Sequence, residues 1–130
     1  MNAPSAKFVI KSILLVAGAG ALGAVARYSV TSLAAWQGWT PWGTFAVNVL
    51  GCFAIGVLIA AASEAEWFEN YGRNLLVFGF LGAFTTFSAF SMDTLQLAQE
   101  GKLHVAIIYA TLTVGACIAA TYTGLRLVNH

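Results

Sequence analysis

The chain contains the sequence GFLGAFTTFSAFS at Gly79–Ser91, part-way along an uncharged segment that extends over residues 74–92. Hydroxyl groups, phenylalanine rings and two glycines are concentrated there, in a stretch otherwise apolar enough to cross a membrane. Hydrocarbon offers no water to loosened backbone or polar side chains, so such residues normally line a path or bind a ligand. The stretch therefore predicts an irregular membrane helix and the position of a functional site.

Composition places the rest of the chain in the membrane as well. Hydrophobic residues make up 59% of the 130 residues and charged residues only 8%, with a mean hydropathy of +0.79. A soluble domain carries roughly a quarter charged residues. A crossing of ~30 Å of hydrocarbon takes about 20 apolar residues, and the uncharged spans are 12–26, 28–63, 74–92 and 103–125. We predict an all-α membrane protein, a single integral membrane domain over residues 1–130.

Four transmembrane helices are expected, near residues 8–32, 42–62, 73–97 and 103–127. The long span 28–63 is divided near Pro41, because proline disfavours helix before it and the neighbouring tryptophans suit the membrane interface. The segment 63–73 contains three carboxylates and predicts a solvated loop. The first apolar run could be a cleaved signal, but its small residues favour close helix packing, and we interpret it as the first transmembrane helix.

Charge bias between the two sides of the membrane is weak. The side with both termini would carry Lys7, Lys11, Arg73 and Arg126, against Arg27 and Lys102 on the other side. Insertion in both orientations is therefore expected for some molecules. Four short helices are too few to enclose a polar path, which predicts a multi-subunit assembly.

Two polar residues need a partner within the membrane. Asn48 lies near the middle of the second helix, where an unpaired amide is expensive, so it either forms an interhelical hydrogen bond or serves a ligand. Arg27 either extends to the headgroups or faces a watery vestibule. Cys52 and Cys117 show no paired spacing and are interpreted as packing residues. Neither histidine, His104 or His130, supports a metal or catalytic site.

The third helix presents rings and hydroxyls on neighbouring faces. Phe87 and Phe90 are three residues apart, as are Thr85, Ser88 and Ser91. In a structural interpretation the rings pack and the hydroxyls bond to carbonyls one turn earlier. In a functional interpretation the ring edges and hydroxyl donors face a small anion. Further polar lining would come from the fourth helix, from Tyr109, Thr111 and Thr113.

Three segments carry a resemblance to a known family. GALGAVARY at 20–28, GTFAVNVLG at 43–51 and GFLGAFTTFSAF at 79–90 resemble the signature segments of the Fluc (CrcB) fluoride channels. The three occur in the family's order and span most of the chain. One position departs, since Ala89 stands where that motif usually has threonine and removes one hydroxyl from the polar track.

The resemblance implies a fluoride-selective passive channel that exports cytoplasmic fluoride down its electrochemical gradient and confers fluoride resistance. It also implies an antiparallel, dual-topology homodimer in a bacterial plasma (inner) membrane, with two pores and a structural sodium ion on the dimer axis. A break in the third helix would give sodium the backbone carbonyls of Gly82 and Thr85. Arg27 would stand at the vestibule, and the fluoride pathway would comprise Asn48, Phe87, Ser88, Phe90, Tyr109 and Thr113.

Two other classes of function stay open. A small multidrug-type proton-coupled exporter has the same size and helix number, but it needs a carboxylate within the membrane to exchange protons. The only carboxylate in these helices is Asp93, towards the end of the third. An accessory subunit without transport activity is the second alternative. No pattern of an enzyme, a nucleotide site or a nucleic-acid-binding surface occurs in the chain.

Overall fold

The computed structural model describes residues 5–128, and this part of the chain is helical with short connections. The helices are α1 (Ala6–Trp36), α2 (Thr40–Ala62), α3 (Phe68–Leu81, continued by Gly82–Phe84), α4 (Phe87–Gln99) and α5 (Leu103–Val128). Four stretches are long and apolar enough to span a membrane, and α3 with α4 forms one of them. The predicted all-helical, multi-pass membrane protein is confirmed.

The turn between α1 and α2 is tighter than the sequence indicated. α1 continues to Trp36 and α2 begins at Thr40. Gly38 adopts a φ of 78°, a conformation that glycine reaches without steric penalty, and the N–H of Trp39 returns to the carbonyl of Ala34 at 2.8 Å. Pro41 lies in the first turn of α2, where its missing N–H leaves no helical bond unmade.

The third crossing begins earlier than predicted. Residues 68–73, assigned above to a solvated loop, form the start of α3, which is wound as a π-helix from Phe68 to Leu81. The prediction followed the carboxylates and missed Phe68, which is fully buried. Gly72 lets the Trp67 and Phe68 rings pack against the helix backbone, while Glu69 keeps an exposed side chain. Burial of one ring thus extends the helix into the polar segment.

Close helix contacts depend on glycines. A side chain at Gly23 of α1 would meet the carbonyl of Phe80 in α3, and Gly56 of α2 and Gly124 of α5 lie against each other's helix. Small residues allow membrane helices to approach closely. Such packing is important in lipid because no hydrophobic effect drives the helices together there. Successive crossings alternate in direction, so α2 and α5 run the same way, and their contact forms the wall on which the site is built.

Candidate functional site

The third crossing is interrupted by two extended residues between α3 and α4. Thr85 (φ −85°, ψ 153°) and Thr86 (φ −151°, ψ 119°) leave the helical conformation. The Thr86 hydroxyl then accepts the N–H of Ala89 at 3.2 Å and caps α4. The break lies within the stretch that predicted an irregular helix, and its own hydroxyl starts the next helix.

Asn48, a residue of α2, forms hydrogen bonds with the backbone at this break. Its Oδ1 accepts the backbone N–H of Thr86 at 2.7 Å, and its Nδ2 donates to the carbonyl of Thr86 at 3.0 Å. The side chain is buried, with 8% exposed. An interhelical hydrogen bond was one of the two roles predicted for Asn48, and it is confirmed. The partner is loosened backbone, which membrane proteins must satisfy internally.

Carbonyls next to the break divide into two groups. Leu81 accepts both the N–H and the hydroxyl of Thr85, each at 3.0 Å, and Ala83 accepts Nε of Arg27 at 3.0 Å. The bond from the Thr85 hydroxyl to the Leu81 carbonyl, one turn earlier, is the bond that the structural interpretation of the hydroxyls predicted. Within residues 5–128, no hydrogen bond reaches the carbonyls of Gly82, Phe84 and Thr85.

Arg27 therefore has a third role besides the two considered from sequence. Its side chain is half-buried and is directed by the bond to Ala83 at the break, whereas snorkelling would place it among the headgroups. The guanidinium places a fixed positive charge beside the end of α3, where helix carbonyls present partial negative charge. Its assignment to a vestibule stays a prediction.

Phe87 and Phe90 form a tilted ring pair with very different surroundings. Their centroids are 5.3 Å apart, with 56° between the ring planes. Phe90 is 8% exposed and lies 5.7 Å from the Tyr109 ring, whereas Phe87 is 75% exposed. One ring is thus part of the protein interior, and the other projects from the surface of a single copy.

A cavity of about 290 Å³ opens beside the break, between α2 and α5. Its wall includes four of the predicted pathway residues and the two residues of the break: Asn48, Phe87, Phe90, Thr113, Thr85 and Thr86. Thr113 is 3% exposed, and its hydroxyl has no hydrogen-bond partner in the described part of the chain. Buried polar groups are normally paired, so this hydroxyl is an exception at the cavity wall among the described residues.

The other two predicted pathway residues lie outside the cavity wall. Tyr109 is buried behind Phe90, and its hydroxyl donates to Asp93 over a long distance of 3.5 Å. Ser88 is exposed, with its hydroxyl 3.1 Å from that of Thr86. Thr111, named as possible lining, is exposed on another face of α5. Of the three residues of α5 that were predicted to line the pathway, only Thr113 lines the cavity.

Two cavity residues were missed from sequence. Cys52 and Cys117 both line the cavity, although each was interpreted as a packing residue. Spacing contained a signal, because Cys52 follows Asn48 by four residues and Cys117 follows Thr113 by four. Positions four apart share a helix face, so each thiol lies one turn beyond a polar cavity residue.

Comparison with known proteins assigns the chain to a family. The profile of the CrcB-like protein, Camphor Resistance (CrcB) family matches residues 14–125. The chain belongs to this family. It is 44% identical over 118 residues to the fluoride-specific ion channel FluC of Rhizobium etli, with 89% of this chain and 94% of the relative covered. The resemblance read from the three segments is confirmed.

Other bacteria contain relatives of similar likeness. The fluoride-specific ion channel FluC of Magnetococcus marinus is 43% identical over 115 residues, with 87% of this chain and 94% of the relative covered. That of Geobacter sulfurreducens is 41% identical over 118 residues, with 88% and 94% covered. Coverage of this extent includes all four crossings and the cavity, so the likeness is not confined to one motif.

Proposed function

We propose that this protein is a fluoride-selective channel that lets cytoplasmic fluoride leave the cell passively, down its electrochemical gradient, and so confers fluoride resistance. The observation that carries the proposal is the cavity at the break. There, the unpartnered Thr113 hydroxyl, the Asn48 amide and the two phenylalanine rings surround one small space. Relatives bearing the name of fluoride-specific ion channels support the choice of anion.

The cavity wall has the chemistry that a small, strongly hydrated anion requires. Dehydration of fluoride is costly, and a pore must offset it with donors while binding weakly enough for release. Thr113 supplies a free hydroxyl donor, and Asn48 has a second amide hydrogen beyond the one given to Thr86. The edges of Phe87 and Phe90 carry partial positive charge. A carboxylate is absent from the wall among the described residues, so no full negative charge there repels an anion.

Assembly as an antiparallel homodimer completes the path in this proposal. Phe87 is 75% exposed in a single copy, directly beside the open side of the cavity. Exposure of a ring that should face an ion is explained if a second copy covers it. The weak charge bias permits insertion in both orientations, and a two-fold axis then relates two identical cavities.

A sodium ion on that axis fits the free carbonyls at the break. Sodium favours oxygen ligands, and the carbonyls of Gly82 and Thr85 lack hydrogen-bond donors among residues 5–128. Gly82 is exposed in a single copy, so its backbone is accessible to a symmetry mate. Carbonyls freed at broken membrane helices are used for such ions. When bound, the ion would neutralise carbonyl dipoles brought together by two chains.

Efflux from liposomes tests this function and both alternatives. Liposomes that contain only the purified protein are loaded with fluoride or with chloride, and a potassium ionophore lets the counter-ion leave. We expect fluoride to be released and chloride to be retained. A proton-coupled exporter would take up a cationic drug in response to a pH gradient, a mechanism that needs a carboxylate within the membrane, for which Asp93 is the candidate. An accessory subunit would show neither flux. The protein's place in the bacterial inner membrane is a further proposal, to be checked by membrane fractionation.

A further inference from the structure

Two thiols share the cavity with the predicted fluoride pathway. Cys52 on α2 and Cys117 on α5 both line it, and both are free and half-buried. They are the only cysteines of the chain. Thr113, one turn before Cys117, also lines the cavity; this residue is 3% exposed, and its hydroxyl has no partner within residues 5–128. Free thiols and an unsatisfied oxygen thus surround one space.

Helix register brings the thiols next to each other. A side chain at Gly56 of α2 would meet the carbonyl of Thr121 in α5, so these two positions face each other. One turn earlier on each helix are Cys52 and Cys117. Because α2 and α5 run in the same direction, residues that precede two facing positions by the same turn also face each other.

We propose that Cys52 and Cys117 form a two-thiolate site for a soft, closed-shell cation: Cu⁺, Ag⁺ or Hg²⁺. Soft thiolate ligands select such metals, and these ions accept two thiolates in a near-linear arrangement, so two residues suffice. Binding replaces two S–H bonds with two S–metal bonds, and both protons leave to solvent. The described cavity wall lacks carboxylates, so hard cations such as Mg²⁺ and Ca²⁺ find no suitable ligands there.

Occupancy of this site would close the channel. A metal held between Cys52 and Cys117 stands one turn from both Asn48 and Thr113, in a cavity of only about 290 Å³. The bound metal would obstruct the cavity, and Cu⁺ or Ag⁺ held by two thiolates carries a net negative charge that repels an anion from the amide and hydroxyl donors. This consequence for flux rests on the proposed function, whereas binding of the metal does not.

Silver is the probe for the test, in nitrate buffers because chloride would precipitate it. Calorimetry on the purified protein is expected to show one Ag⁺ bound per chain. Loss of either thiol, in C52S or C117S, removes the chelate and should weaken binding roughly 100-fold, and C52S/C117S should bind no Ag⁺. The matched control is M92L, which removes an exposed soft sulfur outside the cavity and should bind like the parent protein.

Fluoride efflux, measured on the same preparations, tests the closure. Ag⁺ should stop efflux through the parent protein and M92L but not through C52S/C117S. The site is refuted if C52S/C117S binds Ag⁺ as the parent does, or if both single variants do. Full efflux with the site occupied refutes the closure. If the parent protein shows no fluoride efflux before Ag⁺ is added, the proposed channel function is refuted instead. Calorimetry still decides whether the metal site exists. Cys→Ala replacements serve where a serine variant elutes as an aggregate.

Discussion

Asn48 forms hydrogen bonds with both backbone polar groups of Thr86. Replacement of its amide nitrogen by oxygen tests that role. In Asn48→Asp the carboxylate can still accept the Thr86 N–H, but it loses the donor to the Thr86 carbonyl. An unpaired buried carbonyl costs about 1–3 kcal/mol, and carboxylate and carbonyl repel. We expect a lower unfolding temperature of the purified protein together with loss of fluoride efflux.

Asn74→Asp is the control for this change. Asn74 is an amide of α3 whose Nδ2 donates to the Ser12 hydroxyl at 3.0 Å, away from the break. A hydroxyl can also donate to a carboxylate, so this variant should keep efflux. Unchanged stability and unchanged efflux in Asn48→Asp would show that the break does not depend on this amide.

The two phenylalanines predict separable effects. Phe87→Ile and Phe90→Ile both remove an electropositive ring edge, so both should strongly reduce fluoride efflux. Only Phe90→Ile should lower the unfolding temperature of a detergent-solubilised monomer, because Phe90 is 8% exposed and contacts Tyr109, whereas Phe87 is 75% exposed. Phe78→Ile is the control, since Phe78 is an exposed ring of α3 outside the cavity wall. Equal efflux in all three variants would refute the role of the rings.

At the scale of elements, the break needs a glycine on the opposing helix. A methyl group at Gly51 of α2 would overlap the side chain of Thr85. Gly51→Ala should therefore displace the break and cost about 1–3 kcal/mol by overpacking, with reduced efflux in liposomes. Gly18→Ala meets nothing within 4 Å and should be neutral or stabilising, because alanine favours helix. A Gly51→Ala protein as stable and active as Gly18→Ala would contradict this packing.

The whole molecule predicts two orientations in the membrane. In the thiol-free C52S/C117S background, a cysteine at exposed position Gln37, in the turn between α1 and α2, should react with an impermeant maleimide from both sides of the membrane. Glu66→Cys, in the connection before α3, should give the same result and controls for the reactivity of one loop. Labelling of each position from only one side, with parallel dimers in crosslinks, would rule out the antiparallel assembly.

Assembly also predicts a dependence on sodium. If Gly82 and Thr85 carbonyls of two copies hold one ion, its loss leaves carbonyl dipoles facing each other without neutralisation. Prolonged dialysis into N-methylglucamine buffer should lower efflux, and returned sodium, but not potassium, should restore it. A slow decline is expected because a buried ion leaves slowly. Constant efflux after exhaustive dialysis would speak against the axial ion without touching the identity of the transported anion.

Much of the fold followed from the sequence because the bilayer imposes length and polarity on each crossing. Uncharged spans predicted four helices, and the cluster of hydroxyls and glycines at Gly79–Ser91 located the break. Prediction failed at the start of α3, where the carboxylates suggested a loop and the burial of Phe68 decided otherwise. A carboxylate can stay solvated on the outer face of a helix, so charge alone did not mark its end.

The sequence by itself determined the membrane class, the family and the residue types that could serve an anion, because these depend on local composition and spacing. Only the tertiary structure decided which of those residues share a space. It joined Asn48 to Thr86, turned Arg27 towards Ala83, left Thr113 unpartnered and placed two thiols in the cavity. Such pairings depend on the register between helices far apart in the chain, and register is set by side-chain packing that periodicity within one helix does not contain.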